Sequence, residues 1–452
     1  MDRTEAVREI AKAAACAGGR AYYIGGCVRD RLMGKEPKDI DIEVHGLYPA
    51  ELREILERIG EPLEYGASFG IFSLKGLDVD IAMPRKEQSK GRGHRDFDVE
   101  VDPFIGIEKA ASRRDFTINS IMEDVLSGEI ADPFGGKDDL NRGIIRHVRS
   151  ESFVEDPLRV FRAAQFASRF GFKVADETVE LCSRMDVSEL SAERVEEELK
   201  KALMMAERPS VFFETLRTMG KLSPWFREVE MMIGLEQDPL YHPEGDVWNH
   251  TMEVIDRGAS LKDEAEEPYA FMMLCLTHDM GKIITTSCEE GRIHAYNHES
   301  EGLPLVERFL DRLVSRNSVK RYVLDMVPSH MKPNVTAFVR SKIKVTNRMF
   351  DEVPSPGDLI LFSLADRPVM SGDVRFEGDR DFLEERLGIY EEYMSRPYVM
   401  GRDLVDSGLE PAEDFHEILG YAHKLRLAGI DKEEALKQCL AYARKLRRGQ
   451  TK

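Results

Sequence analysis

The sequence of 452 residues lacks several features that would place it in a specialised class of protein. Its six cysteines are scattered without a C-x-x-C pair, which argues against a zinc ribbon or a disulfide framework and favours a reducing, cytoplasmic setting. No apolar run approaches the roughly 20 residues of a membrane helix, and charged residues interrupt the N-terminal stretch. We therefore expect neither a signal peptide nor a transmembrane segment.

Basic residues are also fewer than acidic residues. Lys and Arg number 64 against 83 Asp and Glu, and the net charge of −19 argues against a protein that coats nucleic acid over its whole surface. Any contact with nucleic acid must therefore be a local patch. With 42% hydrophobic and 33% charged residues, the composition is that of a folded protein, and the length predicts roughly two to four packed units.

The order of apolar patterns predicts an α+β protein. Short apolar or alternating runs in the first part of the chain indicate a small mixed sheet. They span 21–24, 40–44, 70–74 and 79–83. From about Ser152 onward, apolar residues recur at the spacing of helices, with breaks near 239–245 and at Pro397. The predicted domains are a mixed-sheet head at 1–145, a helical neck at 146–235, a further helical domain at 236–395 and a helical tail at 396–452.

Two glycines and three aspartates in the predicted sheet indicate a site for phosphate and a cation. Gly25 and Gly26 follow the first strand, where backbone amides can approach a phosphate without a side chain in the way. Asp39 and Asp41 are two apart on a strand and point to one side, and Asp80 on a later strand completes the set. These ligands suit Mg²⁺ in a two-metal scheme, whereas an isolated D-x-D is usually a solvated pair on an edge strand.

Five motifs follow one another in the order of a known family. They span 25–41, 113–119 (RRDFTIN), 132–142, 155–159 (EDPLR) and 193–198 (ERVEEE). Together they resemble class II of the polymerase-β-like nucleotidyltransferases, which contains bacterial CCA-adding enzymes and poly(A) polymerases. The resemblance implies a nucleotidyltransferase head at 1–145 and a neck with the base-reading helix at 146–235.

The same resemblance implies roles for individual residues. Asp39, Asp41 and Asp80 are the expected catalytic residues, and the first two are the expected ligands of Mg²⁺. The residues expected to bind the nucleotide are Gly25, Gly26, Arg29, Arg113, Arg114, Asp115, Asn119, Asp156, Arg159 and Arg162. Arginines suit this role because they clamp phosphate oxygens. Taken alone, the arginine pair is equally an exposed basic feature, and the polar residues after it are equally a helix cap.

Asp156 and Arg159 are predicted to choose the base. They are three apart on a predicted helix and share a face, so that an acceptor and a forked donor meet the edge of one base. This pair matches the amino groups of C and A and rejects the keto groups of U and G. The alternative is that the two residues form only an i,i+3 salt bridge with each other. The acidic segment at 193–198 either braces this helix or is a solvated face.

A basic, glycine-containing stretch at 85–95 follows the predicted carboxylate strands. We predict no regular structure there. Such a loop acts either as a mobile switch between adding C and adding A or as an attractor of RNA phosphates, and the sequence leaves both open.

A second set of residues predicts another metal site. Its members are His250, His278, Asp279, His298, His330 and Asp366. Their order resembles that of HD-superfamily phosphohydrolases and implies an HD domain at 236–395 with phosphatase and 2′,3′-cyclic phosphodiesterase activity. Imidazole and carboxylate ligands suit Mn, Ni, Co or Fe, and the last two histidines permit a binuclear site. His242 and His294 are left out as bystanders, and a degenerate domain kept for packing or RNA docking is the alternative.

The resemblance predicts a template-independent enzyme that adds CCA to tRNA 3′ ends from CTP and ATP. Its partners are then tRNA, CTP and ATP, without a membrane, and its oligomeric state stays open. The terminal cations predicted to contact tRNA are Arg444, Lys445, Arg447 and Arg448, in the tail at 396–452. The alternatives are a CC-adding or A-adding enzyme, a poly(A) polymerase, an inactive RNA-binding relative, and a chain that is chiefly a phosphohydrolase.

Overall fold

The structure is a computed structural model that describes residues 2–64, 70–89, 97–367 and 378–449. The chain forms two compact units. The first contains the described residues up to Ala202 together with Val211–Pro224, and the second contains Leu203–Ser210 and the described residues from Trp225 onward. Among the described helices, none has the length and apolar character needed to span a membrane.

A seven-stranded mixed sheet forms the centre of the first unit. The strands of this part of the chain are β1 Arg20–Ile24, β2 Ile40–His45, β3 Pro62–Glu64, β4 Ile71–Leu74, β5 Leu77–Ala82, β6 Arg85–Ser89, β7 Phe97–Val101, β8 Met122–Asp124 and β9 Ile130–Ala131. The order across the sheet is β3-β4-β5-β2-β1-β8-β9, in which β2 and β5 are parallel and the other neighbours antiparallel. The predicted mixed sheet is confirmed.

Strands β6 and β7 pair with each other in a separate antiparallel hairpin. The prediction of irregular structure at 85–95 is therefore wrong for Arg85–Ser89. Antiparallel pairing satisfies the backbone groups of both strands, and this outweighs the weak strand propensity of Lys and Glu. The rest of that predicted loop, at 90–95, lies outside the described residues.

Helices cover one face of β2 and β5, and the site lies on the opposite face of these two strands. The helices of this part are α1 Arg3–Cys16, α2 Gly26–Leu32, α3 Pro49–Ile59, α4 Ile107–Ser112, α5 Gly136–Arg142, α6 Ser150–Phe153, α7 Leu158–Phe170, α8 Asp176–Ser183, α9 Ala192–Met205 and α10 Ser210–Met219. Apolar residues of α1 and α3 pack against Ile40, Ile42, Val79 and Ile81 in one core. Because side chains alternate along a strand, the residues between these four point to the opposite face.

The smaller elements of the first unit are the short parallel pair β10 Ile144–Ile145 and β11 Lys173–Val174 and a 3₁₀ turn at Thr117–Asn119. The second unit is mostly helical. Its helices are α11 Arg227–Glu230, α12 Val247–Leu261, α13 Pro268–Thr277, α14 Lys282–Thr285, α15 His298–Glu301, α16 Leu303–Leu313, α17 Asn317–Met326, α18 Lys332–Phe338, α19 Ile343–Asp351, α20 Pro356–Ala365, α21 Asp379–Ser395, α22 Gly401–Asp406, α23 Phe415–Leu427 and α24 Lys432–Gly449.

Two of these helices, α13 and α20, are buried along nearly their whole length. The residues that follow them are therefore held in the interior of the second unit. A hairpin of β12 Ser287–Glu289 and β13 Arg292–His294 and two 3₁₀ turns, Lys262–Glu264 and Val327–Ser329, complete this unit. Helices α22, α23 and α24 share a small core of their own around Leu404, Ile418 and Cys439. The finer division of the chain at 145, 235 and 395 stays a prediction.

Candidate active sites

Three aspartates lie together on the open face of the sheet. Asp41 in β2 and Asp80 in β5 are register partners on neighbouring parallel strands, so their carboxylates point to the same side. Asp39 immediately precedes β2 and is exposed, as is Asp80. Burial, then the charge of Asp80 and to a smaller extent that of Asp39, raises the pKa of Asp41 against the opposing charge of Arg114. This crowding of hard oxygen ligands fits a divalent cation.

Glu43, two residues beyond Asp41, anchors the arginines of the predicted nucleotide site. Its side chain is 1% exposed, and its Oε2 lies 3.7 Å from Nη2 of both Arg113 and Arg114. His45 Nε2 lies 2.9 Å from its Oε1. Burial opposes ionisation, but the hydrogen bond from His45 and the two arginines lower the pKa of Glu43 to about 2. The sequence prediction missed this residue, although the alternation of acids along β2 points to it.

The turn at Gly25 requires glycine. Its φ of +66° and ψ of −131° lie in a region that other residues rarely adopt. A Cβ atom at Gly25 would also lie 3.1 Å from Nη1 of Arg114. The backbone that leads into Gly26 and α2 therefore passes directly beside a side chain predicted to bind phosphate.

A buried hydrogen-bond network joins four of the predicted nucleotide-binding residues. Asp115 accepts from Arg162 Nε at 2.8 Å and Nη2 at 2.6 Å, and from Asn119 Nδ2 at 3.0 Å. Arg29 Nη1 donates to Asn119 Oδ1 at 2.7 Å, and its Nη2 donates to Asp30. Burial opposes the charge of Asp115, but Arg162 and Asn119 lower its pKa. Arg29 is 4% exposed, which makes it a brace for Asn119.

Asp156 and Arg159 lie at the start of α7, and each is held by neighbouring groups. Asp156 accepts from Arg194 Nη2 at 2.9 and 3.1 Å. Arg159 donates to two backbone carbonyl oxygens, at 2.6 and 3.0 Å. The prediction that Asp156 lies on the helix is wrong, because α7 begins after Pro157. A proline disfavours helical backbone in the residue before it, so Asp156 lies just outside the first turn.

The acidic segment on α9 is a brace for this region. Arg194 holds Asp156, and Glu198 lies 3.8 Å from Arg162 Nη1. Glu196 and Glu198 are 8% and 2% exposed. The burial of these two glutamates does not fit the alternative of a solvated acidic face, whereas Glu193 and Glu197 are exposed.

In the second unit, the six residues of the predicted HD set converge in one cluster. They are His250 on α12, His278 and Asp279 after α13, His298 at the start of α15, His330 after a 3₁₀ turn and Asp366 after α20. The Nε2 atoms of His250 and His278 lie 3.3 Å apart, as do those of His298 and His330. The set therefore forms two histidine pairs in the interior.

Asp279 lies between the two pairs. Its Oδ2 is 3.3 Å from His278 Nε2 and 3.6 Å from His250 Nε2, and its Oδ1 is 3.2 Å from His298 Nε2 and 3.9 Å from His330 Nε2. Two groups of three potential ligands share this carboxylate. Buried ring nitrogens that face each other across a carboxylate fit cations of the borderline class.

Asp366 adds a further ligand on one side. Its Oδ1 lies 3.0 Å from His250 Nε2 and 3.4 Å from His278 Nε2. Burial opposes ionisation of Asp366, but these two histidines hold its pKa well below the usual range. Burial likewise lowers the pKa of His278, but Asp279 and Asp366 outweigh it and raise that pKa to about 9. Burial and the charge of His278 lower the pKa of His330 to about 4.

The other ring nitrogens of the histidines are also held. Nδ1 of His278, His298 and His330 donates to the carbonyl oxygen three residues earlier, at 3.1, 2.8 and 2.7 Å. These bonds fix a proton on Nδ1, so Nε2 is the ring nitrogen that would bind a metal once it has lost its own proton. His250 differs, because its Nδ1 lies 2.7 Å from Oε1 of Glu244.

Two histidines that the sequence prediction left out have different surroundings. His242 Nδ1 lies 2.9 Å from the same Glu244 oxygen. His294 stacks on Tyr296 and lies outside the potential ligand groups of the described residues. The sequence prediction also missed Glu244, because no helical or strand spacing links an acid in an irregular segment to His250 on the next helix.

The predicted RNA-contacting cations of the tail are not equivalent. Arg447 donates from Nε to Asp414 Oδ2 at 2.7 Å and so ties α24 to the start of α23. Arg444 and Lys445 are exposed. The side chain of Arg448 lies outside the described part of the chain.

Known proteins are similar to this chain in both sequence and fold. A family model described as the poly A polymerase head domain matches residues 21–146. The multifunctional CCA protein of Nitrosococcus oceani is 41% identical over 296 residues, which cover 65% of this chain and 70% of that protein.

Solved structures support the fold class. The Thermotoga maritima CCA-adding enzyme complexed with tRNA is 21% identical with a TM-score of 0.63, and the match covers 98% of this chain and 99% of that chain. The Bacillus stearothermophilus CCA-adding enzyme in complex with CTP is 19% identical with a TM-score of 0.66, over 99% and 100% of the two chains. The prediction of a mixed-sheet head followed by helices is confirmed.

Proposed function

The chain belongs to the multifunctional CCA protein family, and from that premise we propose that it adds C, C and A in turn to the 3′ end of tRNA from CTP and ATP. The observation that carries the proposal is the convergence of Asp39, Asp41 and Asp80 on one sheet face, in a unit whose arginines are held by Glu43. Each addition joins the RNA 3′ oxygen to the α-phosphorus and releases pyrophosphate. Such a site needs both a cation and donors for a triphosphate.

Each group in the head then has a distinct role. Asp39 and Asp41 hold Mg²⁺, with Asp80 beside them, and the cation supplies neutralising charge on the triphosphate when bound. Arg113 and Arg114 bind phosphate oxygens. The buried network keeps this surface in place, and its members are Arg29, Asp115, Asn119 and Arg162.

The test is single-nucleotide extension. The purified chain, Mg²⁺ and tRNA that ends at the discriminator base, in C or in CC are mixed with labelled CTP, ATP or both. Growth that stops at CCA supports the proposal. Growth that stops at CC, addition of A to CC ends alone, or a long A tail assigns a CC-adding enzyme, an A-adding enzyme or a poly(A) polymerase instead.

Asp156→Ala is expected to lower incorporation of CTP and ATP by about 10- to 100-fold, because the base loses one of its two hydrogen-bonding partners. Discrimination against UTP and GTP falls in parallel. The measurement is kcat/KM for each nucleotide on matched tRNA ends. The control is Asp176→Ala, which removes a solvent-exposed carboxylate on α8. It should leave both kcat/KM and the discrimination against UTP and GTP unchanged. Unchanged base selectivity in Asp156→Ala would refute the assigned role.

Glu43→Gln is expected to raise the KM for CTP by about tenfold with a smaller change in kcat, because a neutral amide no longer holds the two arginines by charge. His45 keeps an acceptor in this variant, so the fold should survive. The measurement is steady-state kinetics with CTP. Glu57→Gln removes a surface partner of Arg53 and should match the parent. A KM that stays at the parental value in Glu43→Gln would contradict the anchoring role.

The two histidine pairs around Asp279 support a second activity, the metal-dependent hydrolysis of phosphate monoesters or 2′,3′-cyclic phosphates. Mn, Ni, Co or Fe is the expected class of metal, since the ligands are imidazole and carboxylate. Hydrolysis of a 2′,3′-cyclic nucleotide by the full chain, with each metal in turn, tests this activity. The degenerate-domain alternative predicts no turnover with any of them.

The proposed domain roles follow the predicted boundaries. The nucleotidyltransferase head spans 1–145, the neck with the base-reading residues 146–235, the HD domain 236–395 and the tRNA-contacting tail 396–452. Because tRNA is the proposed substrate, we expect the chain to act in the cytoplasm. Arg444 and Lys445 are the cations of the tail expected to contact phosphate, since Arg447 is paired with Asp414.

A further inference from the structure

Glu244 is a buried carboxylate outside the six-residue HD set. Its side chain is 5% exposed, and its Oε1 accepts from Nδ1 of His250 at 2.7 Å and from Nδ1 of His242 at 2.9 Å. Its Oε2 is buried without a hydrogen-bond partner. This buried carboxylate therefore lies directly behind a predicted metal ligand.

His250 is distinguished from the other three histidines by this partner. The Nε2 of His250 faces the cluster, so its Nδ1 carries the proton and donates it to the carboxylate. The corresponding nitrogens of His278, His298 and His330 donate to backbone carbonyls. A carboxylate acceptor makes an imidazole more basic than a carbonyl does, and such outer partners change metal affinity.

Charge is also uneven across the cluster. Asp366 lies within hydrogen-bond or ion-pair distance of His250 and His278, whereas Asp279 is shared by both pairs. Lys282 Nζ lies 2.7 Å from Asp279 Oδ2 and offsets one negative charge on this side. With Glu244 and Asp366 both present, the side of His250 remains the more negative one.

The carboxylate nearest the other histidine pair makes a weaker contact. Glu299 Oε2 lies 3.6 Å from Nδ1 of His298, beyond hydrogen-bond distance, and this carboxylate is 28% exposed. The proton of His298 Nδ1 is already donated to the Ala295 carbonyl at 2.8 Å. Glu299 therefore lacks the direct, buried bond that Glu244 makes.

We propose that Glu244 is a positioning residue that makes the His250, His278 and Asp366 side the tighter of two metal positions, so that one cation loads before the other. This inference rests on the proposed metal-dependent HD site. His242 Nδ1 lies 2.9 Å from the same oxygen of Glu244, and His250 Nδ1 lies closer to it, at 2.7 Å.

The test is an equilibrium titration of the full chain with Co²⁺, followed by visible absorption and by competition with a chromophoric chelator. All proteins carry Asp39→Ala and Asp41→Ala, which removes the predicted cation site of the head. The parent should bind two Co²⁺ with affinities about tenfold or more apart. Glu244→Gln should weaken the tighter binding by about 10- to 100-fold and leave the weaker one within about threefold.

Two further variants test the ranking of the two metal positions. Glu299→Gln is the matched control and should change neither affinity. His250→Ala should abolish the tight binding and keep one weak Co²⁺, which tests the ranking even if Glu244→Gln proves unstable in thermal unfolding. Two equal affinities in the parent, or an equal effect of Glu244→Gln on both or on neither, would overturn the inference while the HD site stands. A parent that binds no Co²⁺ would overturn the HD site itself.

Discussion

Replacing both Asp39 and Asp41 with Ala should reduce nucleotide incorporation by about a thousandfold or more. These carboxylates and Asp80 crowd negative charge onto one face of the sheet, and burial with that crowding already raises the pKa of Asp41. A cation held there offsets several kcal/mol of developing charge on the triphosphate, and about 4 kcal/mol corresponds to three powers of ten in rate. The measurement is single-turnover addition of labelled CTP to tRNA that lacks CCA.

The control for this experiment is Asp138→Ala, which removes an exposed carboxylate on α5. It should leave the rate within about twofold, as surface changes away from a site usually do. Retained hydrolysis at the HD site would show that the second unit of the double variant is folded. Incorporation by the double variant near the parental rate would contradict the assignment of the cation site.

The carboxylate site was predictable from the sequence because it depends on local periodicity. Side chains alternate along a strand, so Ile40 and Ile42 in the core fix Asp41 on the opposite face. The pairing of β2 with β5 then brings in Asp80. The motifs of a known family placed these strands in order, and the pattern required no knowledge of distant contacts.

The groups that hold the predicted residues were harder to find. Glu43 continues the alternation of acids along β2, but its arginine partners are remote in sequence. Glu244 lies before the helix that carries His250, and no spacing rule identifies it. Arg29 is a nucleotide-binding candidate by resemblance, whereas its buried bond to Asn119 depends on tertiary packing. The sequence pattern predicts that Asp156 lies on a helix, but the proline after it disfavours helical backbone at Asp156, and the helix begins beyond Pro157.

In the HD set, too, the sequence predicts the residues but not their arrangement. The order of its histidines and aspartates was visible in the sequence, but their arrangement as two pairs around Asp279 was not. That arrangement depends on α13 and α20, whose apolar residues are buried and so carry His278 and Asp366 into the interior. Hydrophobic burial therefore brings the residues of the predicted metal site together, and the motif alone gives only the candidate ligands.

His298→Ala should remove one of two bound metal ions and reduce phosphodiester hydrolysis by more than about 100-fold, because loss of a direct ligand exceeds the loss of an outer partner. Its Nε2 lies 3.2 Å from Asp279 Oδ1 and 3.3 Å from His330 Nε2, so it belongs to the second ligand group. The measurements are metal content of the purified chain and turnover of a 2′,3′-cyclic nucleotide. CCA addition should stay at the parental rate, because the predicted nucleotidyltransferase residues lie in the other unit.

His294→Ala is the matched control, since this histidine precedes His298 by four positions and stacks on Tyr296 outside the cluster. It should keep both metal ions and full hydrolysis. Equal losses in the two variants would mean that hydrolysis depends on the β12–β13 hairpin region as a whole and not on ligation by His298. Retained hydrolysis in His298→Ala with full metal content would assign the buried cluster a structural role. A fall in hydrolysis with unchanged CCA addition would show two separable active sites in one chain.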